Sequence, residues 1–147
     1  MSLSIDTNIL YSASQTGDSN HGRASAFLRE LESREDVVIS ELILMELYQL
    51  LRNAAVLERP FSPAVAVSIC ESFRSHPRWQ IVGLPVESRE FHDAMWPRLA
   101  QPNFARRKAY DWRTALSLQL QGVDEFATAN LRDFADFGFK RVWNPLA

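Results

Sequence analysis

Short apolar runs alternate along this chain with longer segments of helical periodicity, and that alternation constrains the fold more than any other feature. Several of the short runs are rich in β-branched residues, which favour buried strands. The predicted strands are residues 3–5, 37–39, 79–84, 125–129 and 141–143. Strands that alternate with helices predict an α/β fold, and we expect an α/β/α sandwich around a mostly parallel central sheet.

Capping residues place the ends of several predicted helices. Ser40 is a favoured N-cap residue, and Glu41 follows it in the first helical turn. This pattern predicts a helix from Ser40 to about residue 53. Ser62 followed by Pro63 predicts another to about residue 73, and Gly122 ends a third. The full set of predicted helices is residues 9 onward, 21–31, 40–53, 63–73, 86–99 with a break near Pro97, and 110–121, with a loop over 101–109.

Length and composition limit the classes of protein to consider. The chain has 147 residues with 46% hydrophobic content, which predicts a single domain over residues 1–147. Its formal net charge of -2 argues against a protein that coats nucleic acid with bulk positive charge. Cys70 is the single cysteine, so no disulfide forms within the chain and no zinc spacing exists. Without a signal-like start or a spanning apolar stretch, we expect a soluble, cytoplasmic protein that binds no membrane.

Four acidic residues are candidates for a site, because ligands of parallel sheets bind outside the carboxyl ends of the strands. Asp6 directly follows the first strand, and it is equally suited to cap the next helix. Glu46 is a lone carboxylate in the apolar run 42–51, where it faces either a cleft or water. Asp111 opens a predicted helix and Asp133 follows the strand at 125–129, with Asp124 and Asp136 as alternatives to Asp133.

Taken together, these carboxylates favour a divalent metal site. Several carboxylates at one end of a sheet repel one another in a cleft of low dielectric, and a cation relieves that repulsion. Hard oxygen ligands without a thiolate or imidazole set suit Mg²⁺ or Mn²⁺. Such an ion binds phosphate and activates water, so the sequence predicts hydrolysis of phosphodiester bonds.

Basic and aromatic residues lie close to Asp111 in the sequence. Arg106, Arg107, Lys108 and Arg113 either guide RNA phosphates towards the metal or form an ordinary solvated basic loop. Tyr110 and Trp112 are able to stack on bases, but packing in the core is the favoured prediction.

The order and spacing of these motifs resemble those of PIN-domain proteins, and most closely the VapC-type toxin ribonucleases of type II toxin–antitoxin pairs. The matching segments span the chain: Ile5-Asp6-Thr7-Asn8, Ser40 to Glu46, Asp111-Trp112-Arg113-Thr114-Ala115, Thr128 to Phe134, and Phe139 to Leu146. By this resemblance Asp6, Glu46 and Asp111 are the metal ligands and Asp133 is a fourth catalytic acid. Asn8, Thr128 and Asn130 are then expected to line the site.

The resemblance also implies an activity and partners. It implies RNA cleavage that depends on Mg²⁺ or Mn²⁺, a small antitoxin that wraps the toxin and blocks the site, and a homodimer. Residues 54–102 match no motif, and we expect their helices to pack on the sheet and build a dimer or antitoxin surface.

Three other functions fit parts of the pattern. A catalytically inactive PIN-like module that binds nucleic acid or a partner is disfavoured by the presence of all four acids. A PIN deoxyribonuclease or flap-type nuclease needs a wider channel than one small domain supplies. An aspartate-based phosphohydrolase usually carries a second Asp two residues after the first, where this chain has Asn8.

Overall fold

The computed structural model describes residues 2–147 as five strands, seven α-helices and a 3₁₀ turn. The strands are short and lie between helices along the chain, as the sequence predicts. They are β1 Ser2–Ile5, β2 Val38–Ser40, β3 Gln80–Val82, β4 Val123–Ala127 and β5 Arg141–Trp143. The helices are α1 Thr7–Ser14, α2 His21–Leu31, α3 Glu41–Leu51, α4 Pro63–Arg74, α5 Ser88–Leu99, α6 Ala109–Leu120 and α7 Leu131–Phe134.

All strand pairs are parallel. β4 lies between β1 and β5, and β2 pairs with β3. A parallel bridge from Leu3 to Val37 connects the two groups, supported by a 3.0 Å hydrogen bond from the Leu3 amide to the Asp36 carbonyl. The strand order across the molecule is therefore β3-β2-β1-β4-β5, which confirms the predicted α/β class with a parallel sheet.

This order places a crevice between β1 and β4, at the position where open parallel sheets generally bind ligands. The chain adds β2 and β3 on one side of β1, then returns to add β4 and β5 on the other side. The connections diverge where the order reverses, which opens a crevice at the carboxyl ends of the strands. Asp6 and Thr128 are the first residues after these two strands.

The predicted caps are confirmed where they determine how helices start or stop. The Ser40 hydroxyl accepts a 3.1 Å hydrogen bond from the Leu42 amide, and Ser62 accepts one from Val65. Gly122 follows α6 with a φ of 89°, a left-handed conformation that glycine adopts without steric strain. β4 then begins at the next residue, two residues earlier than predicted.

Aromatic side chains fill the core beside β4. Phe126 is fully buried and packs against Phe134 and Phe139, with ring centroids 4.6 and 5.1 Å apart. Trp112 is buried as predicted and packs against Phe137. The buried apolar residues form one cluster, and it extends from this aromatic group to the helices on both sides of the sheet.

Several boundaries differ from the prediction for local reasons. α1 starts at Thr7 rather than near residue 9, because Asp6 caps it directly. α5 continues through Pro97 to Leu99, although the proline nitrogen cannot donate a hydrogen bond to the Asp93 carbonyl one turn earlier. The expected loop 101–109 contains the 3₁₀ turn Arg106–Lys108, and α7 was not predicted at all.

Residues 54–102 divide between the sheet and the helical layers. β3 forms one edge of the sheet, α4 packs against α3 and α5 packs against α6. Within residues 2–147, no helix has both the length and the hydrophobicity needed to cross a bilayer.

Candidate active site

A cleft of about 640 Å³ opens beside the residues that follow β1 and β4. Three of the four predicted acids line it: Asp6 from the end of β1, Glu46 from α3 and Asp111 from the first turn of α6. Asn8 and Asn130, two of the predicted lining residues, also contribute to its wall. The structure therefore brings together residues that lie up to 124 positions apart in the sequence.

Asp6 is buried and held by three donors. Its Oδ1 accepts a 2.8 Å hydrogen bond from the Thr7 amide, so Asp6 is the N-cap residue of α1. Its Oδ2 accepts hydrogen bonds from the Thr128 hydroxyl at 2.6 Å and from the Asn8 side-chain amide at 3.3 Å. Asp6 is thus a helix cap as well as a wall of the cleft, and its orientation is fixed by the start of α1 and by the residue that follows β4.

Asn8, Thr128 and Asn130 form the rigid support of this carboxylate. The Asn8 Oδ1 accepts a hydrogen bond from the Ala129 amide, and the Asn130 amide donates to the Thr128 hydroxyl at 2.9 Å. Thr128 is fully buried, so its hydroxyl has no water to exchange with and keeps its protein partners. These contacts hold the turn after β4 against the first turn of α1.

Glu46 is oriented by a residue to which the sequence analysis gave no role. The Thr7 hydroxyl lies 3.0 Å from Glu46 Oε2 and 3.4 Å from the Ile43 carbonyl, so its single proton serves one acceptor at a time. Thr7 is buried in the first turn of α1. The sequence signal that was available is the threonine directly after Asp6.

The cleft disfavours negative charge. Burial raises the pKa of Asp6 to about 6 and outweighs the lowering effect of the hydrogen bonds from Thr128 and Thr7, while the Glu46 carboxylate adds a smaller raising effect. Desolvation, followed by repulsion from Asp6, Glu46 and Asp133, raises the pKa of Asp111 to about 7. The carboxylates are thus close enough to repel one another, and no basic side chain of residues 2–147 fully neutralises the charges of Asp6 and Asp111.

The donor set fits a hard divalent cation. The cleft presents carboxylate oxygens and amide oxygens, and its acids have raised pKa values that a bound cation reverses. In the described part of the chain, no three His, Cys, Asp or Glu side chains form a preformed metal cluster. The three acids face one cleft and would converge on a cation from its walls.

Asp133 differs from the other acids because a basic residue neutralises it. Both of its oxygens lie 2.6 Å from Nη1 of Arg107, and Asn130 donates to Oδ2 at 2.6 Å. The Arg107 hydrogen bond lowers the pKa of Asp133. Asp133 is buried next to the cleft but does not line it.

The two alternatives to Asp133 lie elsewhere. Asp124 is near the start of β4, at the opposite end from Thr128, and pairs with Lys140 at 3.5 Å. Asp136 is exposed and pairs with Arg98 and Lys108.

The four predicted basic residues have different environments. Arg106 is exposed, Arg107 pairs with Asp133, and Lys108 lies 4.8 Å from the Phe137 ring centroid. Arg113 stacks over Tyr110 at 5.0 Å, and its Nε is buried without a hydrogen-bond partner. Tyr110 is 68% exposed, so the prediction that it packs in the core was wrong.

The cleft also contains residues that the sequence analysis did not assign to the site. Gln49 and Asn53 follow Glu46 at helical spacing, and Arg52 contributes a positive charge to the same wall. The spacing was visible in the sequence, where it fitted a polar side of the helix that faces either a cleft or water. Only the tertiary structure shows that this wet side is the wall of the cleft.

Comparison with solved structures identifies the class of fold. VapC20 of Mycobacterium tuberculosis, a toxin that cleaves the sarcin–ricin loop, matches with a TM-score of 0.69 at 18% identity, over 94% of this chain and 96% of its own. VapBC2 from Rickettsia felis bound to a promoter DNA fragment matches at 0.67 and 17%, over 98% of both chains. FitAB bound to IR36 DNA matches at 0.65 and 18%, over 99% of this chain and 96% of its own. The fold is that of the PIN-type toxin nucleases.

Comparison with known sequences narrows this class to a family. No family model matches the chain. Ribonuclease VapC24 of Mycobacterium tuberculosis, from two strains, is 47% identical over 144 residues, which is 98% of this chain and 97% of the relative. The chain belongs to the VapC family of PIN-domain toxin ribonucleases.

Proposed function

We propose that this protein is a metal-dependent endoribonuclease that acts as the toxin of a toxin–antitoxin pair. The observation that carries the proposal is the cleft lined by Asp6, Glu46 and Asp111 at the point where the strand order reverses. The 47% identity to Ribonuclease VapC24 over nearly the whole chain supports RNA as the substrate.

Asp6, Glu46 and Asp111 are the residues proposed to hold Mg²⁺ or Mn²⁺. When bound, such an ion neutralises phosphate charge and makes a water molecule more acidic. The protein's own contribution is orientation. Thr128 and Asn8 fix Asp6, and Thr7 fixes Glu46, so two carboxylates are placed before any ligand arrives. Asp133 is proposed as the fourth acid of the site, and Asn130, which donates to it, as one of the lining residues.

The proposed partner is a small antitoxin, and the proposed assembly is a homodimer in the cytoplasm. Several structural neighbours are complexes named VapBC or FitAB, which supports a partner protein that accompanies the toxin. An antitoxin that covers the cleft would keep RNA from the acids.

The test is cleavage of total bacterial RNA by purified protein that is free of any partner. We expect cleavage with Mg²⁺ or Mn²⁺, none in EDTA, and at least about a hundredfold loss in Asp6→Asn, because Asp6 is a proposed metal ligand and loss of a ligand's supporting partner alone costs about 10–100-fold. Asp18→Asn is the matched control, since Asp18 also caps a turn, through the Asn20 amide, but lies outside the cleft. Cleavage that survives EDTA, or is equal in Asp6→Asn, contradicts the metal mechanism.

A catalytically inactive binding module is the second candidate, because several of the structural neighbours are DNA complexes. Expression in a bacterial host separates the two functions. The nuclease predicts growth arrest by the wild-type chain and none by Asp6→Asn. Equal harmlessness of both proteins, with no RNA cleavage in vitro, favours the binding module.

A further inference from the structure

Both carboxylate oxygens of Asp133 accept hydrogen bonds from neighbouring side chains, and neither lines the cleft. Nη1 of Arg107 lies 2.6 Å from each oxygen, and Asn130 Nδ2 lies 2.6 Å from Oδ2. The Asp133 side chain is 7% exposed, so this pairing is shielded from water on the aspartate side. A carboxylate in this arrangement is already satisfied and has little tendency to join a set of metal ligands.

Arg107 has the opposite character, because most of its guanidinium remains available. Its side chain is 67% exposed, and all of its hydrogen bonds within residues 2–147 use Nη1. A guanidinium has five N–H donors, so the Nε donor and both Nη2 donors are free for a ligand. One end of the group is fixed while the other end faces solvent.

The position of Arg107 connects this free end to the cleft. Arg107 precedes Asp111 by four residues, and it binds Asp133, whose other partner Asn130 lines the cleft. A cleft lined by three acids repels a polyanion, so RNA needs fixed cations at the rim to approach it. An arginine held by a buried carboxylate supplies such a cation at low entropic cost.

We propose that Asp133, Asn130 and Arg107 form a phosphate clamp, in which Asp133 and Asn130 position Arg107 to bind an RNA backbone phosphate beside the cleaved bond. This inference deepens the proposed function and rests on it. It assigns Asp133 a positioning role through Arg107, in place of a role as metal ligand. Arg107 then contributes to substrate binding, and the metal ligands remain Asp6, Glu46 and Asp111.

Metal binding is the first test, because it does not depend on cleavage. Calorimetric titration with Mn²⁺ is expected to give the wild-type affinity, within about threefold, for Asp133→Asn and Arg107→Gln. Asp111→Asn is expected to lose at least about tenfold, since loss of supporting groups alone costs 10–100-fold. If Asp133→Asn loses Mn²⁺ affinity as Asp111→Asn does, Asp133 is a ligand and the clamp is wrong.

RNA binding is the second test, measured in EDTA by fluorescence anisotropy of a labelled single-stranded RNA of mixed sequence. Arg107→Gln is expected to weaken binding about tenfold, as loss of one charge-assisted contact does, and to reduce the slope of log affinity against log salt by about 0.7. Arg107→Lys is expected to restore the slope of log affinity against log salt but only part of the affinity, because lysine lacks the paired N–H donors of a planar guanidinium.

Asp133→Asn gives the most discriminating result. Removal of a negative charge near a polyanion site strengthens binding if Asp133 has no positioning role. The clamp predicts weaker binding, and no further loss when Arg107→Gln is added, because the two residues act as one unit. Tighter binding by Asp133→Asn, or additive losses in the double variant, overturns the proposal.

A second arginine–aspartate pair offers matched controls. Arg34 and Asp36 are joined by two hydrogen bonds, and the Asp36 carbonyl accepts from Leu3 near the amino end of β1, whereas the cleft lies at the carboxyl ends of the strands. Arg34→Gln removes the same charge as Arg107→Gln and is expected to leave RNA affinity within about twofold. If Arg34→Gln weakens binding equally, net charge and not the clamp is responsible. A wild-type protein that binds RNA and Mn²⁺ but cleaves no RNA contradicts the proposed function. The Mn²⁺ and RNA affinities of the variants still decide whether the clamp is right, because neither measurement depends on cleavage.

Discussion

Asp6 shows how one residue serves the fold and the site at once. Its Oδ1 caps α1 and its Oδ2 takes the Thr128 and Asn8 hydrogen bonds. Asparagine caps helices about as well as aspartate does. Asp6→Asn therefore separates the two roles, because it keeps an acceptor at the cap and removes the negative charge from the cleft.

The raised pKa of Asp6 predicts how stability depends on pH when no divalent cation is present. The folded state binds a proton that the unfolded state has lost between pH 3.8 and about 6, so stability falls as the pH rises through that interval. The Asp111 carboxyl, whose pKa is raised to about 7, extends the decline upward. Thermal unfolding in EDTA is expected to show a lower Tm at pH 8 than at pH 5, and a smaller decline for Asp6→Asn.

The comparison depends on the change in Tm with pH. The absolute Tm of Asp6→Asn also includes the loss of the Oδ2 acceptor for Thr128 and Asn8, so it is not compared with wild type at a single pH. Asp18→Asn, at a more exposed turn, is expected to leave the pH dependence unchanged. A wild-type Tm that rises from pH 5 to pH 8 in parallel with Asp6→Asn contradicts this account of the cleft.

Among the secondary-structure elements, the sequence predicted the helix ends that capping residues determine. Ser40 and Ser62 begin helices because their side chains accept hydrogen bonds from nearby backbone amides. Gly122 follows the end of a helix because glycine adopts a positive φ without strain. α7 was missed because four residues carry no measurable periodicity. The clamp of Arg107 and Asp133 joins residues 26 positions apart, and no local pattern encodes such a contact.

The turn after β4 supports the site through one hydroxyl. Thr128→Val keeps the shape and removes the donor to Asp6, so we expect it to destabilise the protein by about 1.5–3 kcal/mol in urea unfolding, the usual range for hydrogen bonds to charged groups. RNA cleavage is expected to fall as well, since Asp6 loses its shortest contact. Thr16→Val, in an exposed turn, is the control and should change stability by less than about 0.5 kcal/mol.

Thr128→Ser completes that comparison because it retains the hydroxyl. We expect it to restore most of the cleavage. A Thr128→Val protein with wild-type stability and cleavage would show that the 2.6 Å contact has no role in holding Asp6.

At the scale of the whole molecule, strand order turns scattered acids into one site. Asp6, Glu46 and Asp111 come from three separate elements, and the reversal between β1 and β4 opens the cleft that they line. The sequence predicted these three residues because each stood out locally, as a strand end, a lone charge and a helix start. It did not predict which other side chains surround them, since Gln49, Arg52 and Asn53 join the cleft only through tertiary packing.

If Asp6, Glu46 and Asp111 form one metal centre, anomalous diffraction from crystals soaked in Mn²⁺ will locate the ion. We expect an anomalous peak in the cleft, in contact with the carboxylates of Asp6 and Asp111 and with Glu46 facing it, and no such peak in Asp111→Asn crystals. At an Mn²⁺ concentration that supports RNA cleavage, an empty cleft in the wild-type crystals, or a peak bound by Asp133 and not by Asp111, would contradict it.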